Sequence, residues 1–161
     1  MRLIFIIFPY LIINLYPLTK LNADLHNKRL FDTFIDFNFK SDEFLRLFIA
    51  DDLVEKEVGL MGVNRLHPNQ GMLFVFDPQE KVNFWMKNTL IPLDILFIKN
   101  DRIIDILENV LPCKIDKCPL YSSKEKVNFV IELNSGRAKE LGFEIGDNIN
   151  LNKKINIKSI D

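Results

Sequence analysis

The sequence predicts a mainly β fold, a compact single-domain β-sandwich or barrel-like structure with two short α-helices. Three observations lead to this prediction. Many short segments are apolar throughout or alternate apolar and polar residues, as β-strands do. Only two short stretches have helical spacing, and no strands alternate with long helices as in βαβ units. The length of 161 residues suits one domain.

The N-terminus differs in kind from the rest of the chain. Met1–Ala23 begins with the positive charge of Arg2, continues with the 14 largely apolar residues of Leu3–Tyr16 and ends on a small residue. This is the layout of a secretory signal, and the apolar core is short for a membrane-spanning helix. We therefore expect an exported protein, periplasmic or extracellular, cleaved after Ala23. The alternative is an uncleaved N-terminal membrane anchor.

The next segment leads into the predicted domain. Residues 24–43 carry mixed charge and scattered Phe, which indicates a linker or N-terminal extension with an early strand near Phe34–Phe39. The mainly β domain is expected over residues 44–160. Its first strand is predicted at Phe44–Ala50, where alternate residues face opposite sides.

A short helix is predicted after this strand. Asp52 followed by Glu55 is typical of a helix start, because acids are favourable near the positive N-terminal end. Apolar residues then recur with helical spacing and end near Gly62, and a Met in such a stripe is more often core filler than a ligand. Its members are Leu53, Val54, Val58, Leu60 and Met61.

The centre of the sequence is Gly71–Ile98, which holds the only Trp and long apolar runs. Met72–Phe76 and Ile95–Ile98 are apolar at every position, and they predict strands covered on both faces. Asp77-Pro78 predicts a turn, so that Val82–Met86 returns as the second strand of a hairpin.

The remaining elements follow from apolar alternation in strands and from Gly, Asn, Asp or Ser at turns and caps. All of them are short, in keeping with a sandwich or barrel. They comprise a tight turn at Lys99–Arg102, strands at Arg102–Leu107 and Val127–Leu133, a helix capped by Ser135 that runs through Leu141 to Gly142, a turn at Gly146-Asp147, and an edge strand guarded by lysines at Lys153–Ile160.

The two cysteines fit an exported protein. Cys113 and Cys118 enclose a short loop, and in an oxidising compartment they can form a disulfide worth about 2 kcal/mol. A metal site and a redox pair are the competing interpretations. Two thiols are too few for a closed zinc site, neither His26 nor His67 is near in sequence, and the spacing is not C-x-x-C. We expect a structural disulfide, with no metal and no cofactor.

Asp94 stands inside a predicted buried strand. A carboxylate removed from water needs hydrogen-bond partners, and Lys87, Asn88, Thr89 or the N–H groups of their loop are nearest in sequence. One interpretation is that Asp94 braces this loop against the sheet. The other is a carboxylate that handles a ligand or a proton and whose pKa is perturbed by its surroundings.

These side chains suggest a binding or accessory module of the cell envelope. If Trp85 is exposed, it offers a stacking face beside hydrogen-bonding groups, which suits a small polar ligand or a glycan. The alternative is that Trp85 belongs to the core, because it lies in an apolar strand. The candidate ligand-binding residues are Trp85, Lys87, Asn88, Thr89, Asp94 and Glu132.

A second hypothesis is a hydrolase that uses two carboxylates. Asp94 and Glu132 are its weak catalytic candidates, since glycoside hydrolysis needs such a pair. Within the strand Val127–Leu133, Glu132 is predicted to face away from Val127 and Phe129. A third hypothesis is a purely structural or interaction protein, in which the buried acids act as internal braces.

The net charge of −1 gives no basic surface for nucleic acid. Apolar content of 48% with 27% charged residues indicates a globular chain. We therefore expect no nucleic-acid partner, and no membrane contact beyond the N-terminal export signal.

Several motifs along the chain carry a family resemblance. They are Glu55 with Gly59-Leu60-Met61, Leu66, Gly71 to Phe76, Phe84 to Thr89, Pro92-Leu93-Asp94, Glu132-Leu133, Gly136 and Gly146-Asp147. Together, from about Phe44 to Leu151, they resemble the domain-of-unknown-function family 192. The resemblance implies a small, mainly β domain, often exported, for which no enzymatic activity is established.

The sequence departs from this family pattern in two places. Relatives often carry Arg where Lys56 stands, and an aromatic-Arg pair where Gly62-Val63 stands. Lys cannot reproduce the forked, bidentate hydrogen bonding of Arg. Arg65 replaces the lost charge only if its loop turns back, so a basic group beside Met61 is not expected to carry a role here.

Overall fold

The computed structural model describes residues 33–40 and 44–151, which form a mainly β fold with two short helices. Six strands make one sheet, and two very short strands make a second; among the described residues no closed barrel forms. The elements are β1 (Phe34–Asn38), β2 (Phe44–Ala50), α1 (Leu53–Val58), β3 (Gln70–Glu80), β4 (Asn83–Phe84), β5 (Leu93–Lys99), β6 (Arg102–Val110), β7 (Tyr121–Ser122), β8 (Val127–Asn134) and α2 (Arg137–Glu140).

The large sheet has the order β1-β2-β3-β8-β5-β6. β2 and β3 are parallel neighbours, and every other described pair is antiparallel. A parallel pair cannot be joined by a hairpin, so the chain between β2 and β3 must cross one face of the sheet. That crossover consists of α1 and the loop that follows it.

Each face of the large sheet buries its own apolar core, because successive side chains of a strand alternate between faces. We call one face the pocket face; its core includes Phe74, Phe84, Met86, Ile95 and Val130. We call the other the α2 face, because Ala138 and Leu141 pack there with Phe129, Ile131 and Leu133.

Several predicted elements are confirmed. β1 and β2 form at the expected places, and β1 pairs with β2, so the sheet begins upstream of Phe44. Asn100 and Asp101 have positive φ in the turn between β5 and β6, as a tight hairpin turn requires. Cys113 and Cys118 are joined by a disulfide. The predicted edge strand at Lys153–Ile160 lies outside the described residues.

The start of α1 was predicted correctly, but its end, expected near Gly62, was not. Asp52 and Glu55 form a complete capping box. The helix ends at Val58, with Gly59 as the C-terminal cap, and buries none of its residues. Leu53 remains 84% exposed and Val54 is also exposed. Met61, expected as core filler, is only partly buried.

The hairpin predicted at Asp77-Pro78 is wrong. β3 continues through these residues to Glu80, with an irregular register against β8. Only Asn83–Phe84 of the expected returning strand is extended, and it pairs with β7 rather than with β3. The Ser123 hydroxyl also accepts a hydrogen bond from the Val82 N–H at 3.1 Å, which ties this segment to the small sheet.

The cap of α2 also differs from the prediction. Gly136, not Ser135, is the N-cap residue, and it provides no side-chain hydrogen bond. The acceptor for the first turn is instead the carboxylate of Asp94 on β5, which binds the Ala138 N–H. The C-terminal end is as predicted, since Gly142 follows the helix with a φ of 73°.

Candidate functional site

A pocket of about 430 Å³ opens on the pocket face of the sheet. Its walls come from α1 and the following loop, from the end of β3, and from the β4 segment. Its lining includes Met61, Phe74, Phe84, Trp85, Thr89 and Glu132. A pocket of this size holds a small organic molecule.

Glu132 is the buried acid among the residues that line this pocket. It lies on β8, between Met72 of β3 and Ile95 of β5, and it is only 4% exposed. Burial raises the pKa of its carboxyl to about 8, and no neighbouring charge or hydrogen bond opposes this shift. The carboxyl is therefore mostly protonated at neutral pH.

The Glu132 carboxyl has no hydrogen bond to any described residue. Among those residues no fully enclosed side-chain oxygen or nitrogen lacks a partner, so the carboxyl reaches the open volume of the pocket. The Thr89 hydroxyl is in the same position: Thr89 is buried, lines the pocket and makes no side-chain hydrogen bond within the described part of the chain. Two buried polar groups thus face one pocket without partners.

Gly59 allows the crossover to lie close against the sheet. Its φ is 46°, and a Cβ atom there would come within 3.1 Å of the Phe74 ring. The loop beyond it is held by a bridge between Met61 and Thr89. The Gly62 N–H also donates to the Asn88 carbonyl at 2.9 Å. These contacts fix the wall that faces Glu132.

Aromatic rings form much of the remaining wall. The Phe74 and Phe84 rings pack edge to face, with centroids 4.9 Å apart. Trp85 is 39% exposed at the mouth of the pocket, so the expectation that it belongs to the core is wrong. The Lys87 Nζ atom lies 5.2 Å from the centre of the Trp85 ring.

Asp94 is fully buried, as predicted, but its partners are not those expected. Its two oxygens accept hydrogen bonds from the backbone N–H of Asn109 at 2.9 Å and of Ala138 at 3.0 Å. Neither Lys87 nor Asn88 contributes. Because Ala138 is in the first turn of α2, Asp94 supplies the acceptor that the N-cap residue lacks.

Asp94 and Glu132 point to opposite faces of the sheet. Asp94 pairs in register with Leu133, which packs on the α2 face, whereas Glu132 lies opposite Ile95 on the pocket face. Residues that pair directly share a face, so the two carboxyls are separated by the sheet itself. The geometry therefore contradicts a hydrolase that uses this pair in one cleft.

The pocket thus unites three of the six predicted ligand-binding residues: Trp85, Thr89 and Glu132. Lys87 and Asn88 are exposed on the adjoining loop. The Asn88 side chain lies 3.9 Å from the sulfur of Met61, and its backbone takes a positive φ of 58°. These two residues support the rim and do not line the pocket.

Sequence reasoning missed the walls contributed by Met61, Phe74 and Phe84. Each was assigned to an apolar stripe or strand, which is correct for Phe74 and Phe84, but the pattern does not say what lies above a strand. Gly59 followed by Leu60-Met61 was the available signal, because a glycine after a short helix permits a close approach. Which ring it approaches depends on the crossover, and this is invisible in local sequence.

Two further findings bear on the class of protein. No helix in the described ranges 33–40 and 44–151 is long and apolar enough to cross a membrane. Within the same ranges no three His, Cys, Asp or Glu residues come together in a group that could hold a metal ion.

The fold and site define a small mainly β domain, built on one mixed sheet, with a ligand-sized pocket above one face. The chain belongs to the family described as DUF192, Uncharacterized ACR, whose family model matches residues 37–151. This is the family that the sequence motifs indicated.

Two solved structures are similar to the described fold. A protein of unknown function from Novosphingobium aromaticivorans has a TM-score of 0.63 and 31% sequence identity, over 71% of this chain and 81% of that chain. A candidate transcription regulator from Sinorhizobium meliloti has a TM-score of 0.63 and 38% identity, over 71% of this chain and 88% of that chain. No curated protein matches this chain.

Proposed function

We propose that this protein is a binding module that takes one small ligand into the pocket around Glu132. The observation that carries this proposal is the state of the Glu132 carboxyl. It is buried, it has no partner among the described residues, and it faces an open volume. Burying an unpaired acid costs free energy of folding, so a chain that keeps one there indicates a use for it.

The walls of the pocket describe the ligand. Aromatic rings from Phe74, Phe84 and Trp85 favour an apolar or flat body, and the groups of Thr89 and Glu132 give it a polar anchor. Binding is favoured over catalysis, since no described acid or base of the pocket is close enough to Glu132 to affect its pKa.

Trp85 gives a direct test, because it is the only tryptophan and lies at the pocket mouth. A panel of small amphipathic molecules is titrated while Trp85 fluorescence and backbone NMR signals are recorded. A true ligand should shift the signals of Met61, Thr89 and Glu132 together.

A matched pair of variants makes this test specific. Thr89→Val keeps the side-chain shape but removes the hydroxyl from the pocket, and it should weaken binding about fivefold or more. Ser135→Ala removes a hydroxyl beside the start of α2 that donates to the Asn109 Oδ1 atom, away from the pocket, and it should leave binding unchanged. Signal changes only outside the pocket, or none across the panel, would contradict the binding function and favour a purely structural or interaction protein.

We also propose that the binding module is exported. The apolar Met1–Ala23 segment and the disulfide between Cys113 and Cys118 support this location. The mass of the protein isolated from its own cells tests it. An N-terminus at Asp24 in an extracytoplasmic fraction is the expected result. Intact protein starting at Met1 in the membrane fraction would indicate an anchor, and intact protein in the cytosol would contradict export.

A further inference from the structure

We infer that the Glu132 pocket selects a small organic cation, a protonated amine carried on an apolar body, over neutral and anionic ligands. This inference rests on the proposed binding function and specifies its ligand class. It follows from three features of the pocket, which are its charge, its rings and its hydrogen-bonding groups.

The charge at the floor of the pocket is negative whenever Glu132 is ionised, and no described lysine or arginine pairs with it. The neighbours of Glu132 in β3 and β5, Met72 and Ile95, do not titrate. A cation is therefore the missing counter-charge in this low-dielectric site.

The other charged groups of the pocket do not change its sign. They lie at the rim, two positive and two negative: Lys56 and Glu57 on α1, Glu80 at the end of β3, and the adjacent Lys81. None of them contributes to the shifted pKa of Glu132. Lys87, just outside the lining, adds a third positive charge near the mouth. The rim therefore gives a cation no advantage, and any preference for one must come from Glu132 at the floor.

The rings favour a cation as well. An aromatic face carries negative electrostatic potential, which attracts an ammonium or guanidinium group. The protein's own lysines already use this attraction at the pocket. Lys56 Nζ lies 5.0 Å from the centre of the Phe76 ring, and Lys87 Nζ lies 5.2 Å from that of Trp85. Both rings belong to residues that line the pocket.

The hydrogen-bonding groups match an ammonium head. An ammonium group has three N–H donors and no acceptor. The ionised Glu132 carboxylate accepts hydrogen bonds through both oxygens, and the Thr89 hydroxyl oxygen accepts another. An anionic ligand would instead meet the carboxylate with like charge. A neutral alcohol would gain a hydrogen bond but no charge interaction.

Binding of a cation should be linked to proton release. Without ligand, Glu132 holds its proton up to about pH 8, so a cation must displace that proton at neutral pH. Affinity for the cation should then rise about tenfold per pH unit below about pH 8 and level off above it. A neutral ligand should show no such rise.

Three probes of one shape test the charge preference: 2-phenylethylamine, 2-phenylethanol and phenylacetate. Each is titrated into the mature protein at several pH values, with NMR signals of Thr89 and Glu132 and the fluorescence of Trp85 as readouts. The amine should bind at least about tenfold more tightly than the alcohol at about pH 9, where Glu132 is mostly ionised, and the carboxylate should not bind there.

A matched pair of variants identifies the group responsible. Glu132→Gln keeps the size of the side chain but cannot ionise, so it should lose the preference for the amine and the pH dependence of binding. Glu125→Gln removes an exposed acid that pairs with Lys99, and it should leave both unchanged.

The outcomes separate this inference from the proposed function. Preferred binding of the alcohol or the carboxylate would overturn the cation preference while leaving a ligand-binding pocket. Amine binding that persists in Glu132→Gln would overturn it as well, because the charge would then lie elsewhere. Failure of all three probes at millimolar concentration would overturn the cation class; the binding function itself would fall only if the wider panel failed too.

Discussion

Asp94 and Glu132 are buried acids on neighbouring strands, yet their environments differ completely. Asp94 receives two backbone N–H groups and fixes the start of α2. Glu132 receives no hydrogen bond from a described residue and faces the pocket. Asp94 pairs with Leu133, which is the residue next to Glu132 in β8. A satisfied acid of this kind stabilises the fold, whereas an unsatisfied one is a candidate for binding.

The pH dependence of stability should reveal Glu132. The folded protein keeps this proton up to about pH 8, while the unfolded chain releases it near 4.5. The unfolded state therefore binds fewer protons across that window, and the free energy of unfolding falls as pH rises through it. The loss is on the order of a few kcal/mol, at about 1.4 kcal/mol per pKa unit.

Glu132→Gln removes this dependence, because the amide does not titrate. The variant should match the wild type near the acid end of the window and exceed its stability at pH 8. Urea denaturation at several pH values measures the difference, with Glu125→Gln as the exposed control. Parallel pH profiles for the wild type and Glu132→Gln would show that the carboxyl is not protonated as described.

Asp94→Asn should destabilise the fold at every neutral pH. The amide nitrogen replaces one acceptor oxygen and would face the N–H of Ala138 or Asn109. One buried donor then loses its partner, which costs about 1 to 3 kcal/mol. Thermal denaturation measures the shift, and Asp116→Asn in the exposed cysteine loop is the matched control. Equal melting temperatures for Asp94→Asn and the wild type would contradict the bracing role.

The sequence predicted the burial of Asp94 but not its partners. Burial follows from the apolar run around it, which is a local property. Its donors come from Asn109 and Ala138, 15 and 44 residues away in the chain. Likewise, alternation in β8 predicted correctly that Glu132 faces away from Phe129. It was wrong for Val127, which packs in the core of the pocket face and not with Phe129. The pocket in front of Glu132 depends on the path of the β2–β3 crossover, and that path cannot be predicted from the alternation of residues within β8.

At the scale of elements, local chemistry predicted the ends of strands better than their pairing. Asn100 and Asp101 mark a hairpin turn because their conformation is itself left-handed. Asp77-Pro78 also predicts a turn, through the fixed φ of proline, yet β3 continues through both residues. The segment that follows, β4, pairs with β7 instead of β3, and the adjacent Val82 N–H donates to the Ser123 hydroxyl. Pairing is a long-range choice, so a turn-forming dipeptide alone does not determine it.

At Gly71 the neighbouring strands pack so closely that there is no room for a side chain. It lies in β3 between Leu47 of β2 and Leu133 of β8. A Cβ atom there would lie 2.6 Å from the Leu133 Cδ2 atom and 2.7 Å from the backbone oxygen of Glu132. The backbone oxygen belongs to the central ladder and cannot move cheaply.

Gly71→Ala should therefore destabilise the protein by about 1 to 3 kcal/mol, because the added methyl group overpacks the centre of the sheet. Gly62→Ala is the comparison. Gly62 has a φ of 75° but open space around it, so only backbone strain of about 1 kcal/mol is expected. Urea denaturation ranks the two variants. A smaller loss for Gly71→Ala than for Gly62→Ala would contradict the close packing.

At the scale of the whole molecule, two cores share one sheet. The same strands bury Phe74 and Val130 on the pocket face and Leu73 and Ile131 on the α2 face. Neither core can lose its sheet without exposing the other. The small β4–β7 sheet is tied to the large one through the pocket core, where Phe84 contacts Phe74 and Phe97.

We therefore expect the domain to unfold as one cooperative unit. Trp85 fluorescence reports the pocket face, and far-UV circular dichroism reports the sheet as a whole. The two transitions should coincide in urea, as for a two-state domain of this size. A fluorescence transition at clearly lower urea would show that the β4–β7 segment melts separately.

The parallel pairing of β2 with β3 has a consequence for how this site originates. Because β3 runs in the same direction as β2, the connection between them must cross one face of the sheet. This crossover, α1 and its loop, forms a wall of the pocket that Glu132 also lines. Had the same two strands met as a hairpin, the wall made by α1 and its loop would be absent, and the pocket would be open on that side. The pocket thus owes one of its walls to the direction of β3, and the side chains that line it determine which ligand binds.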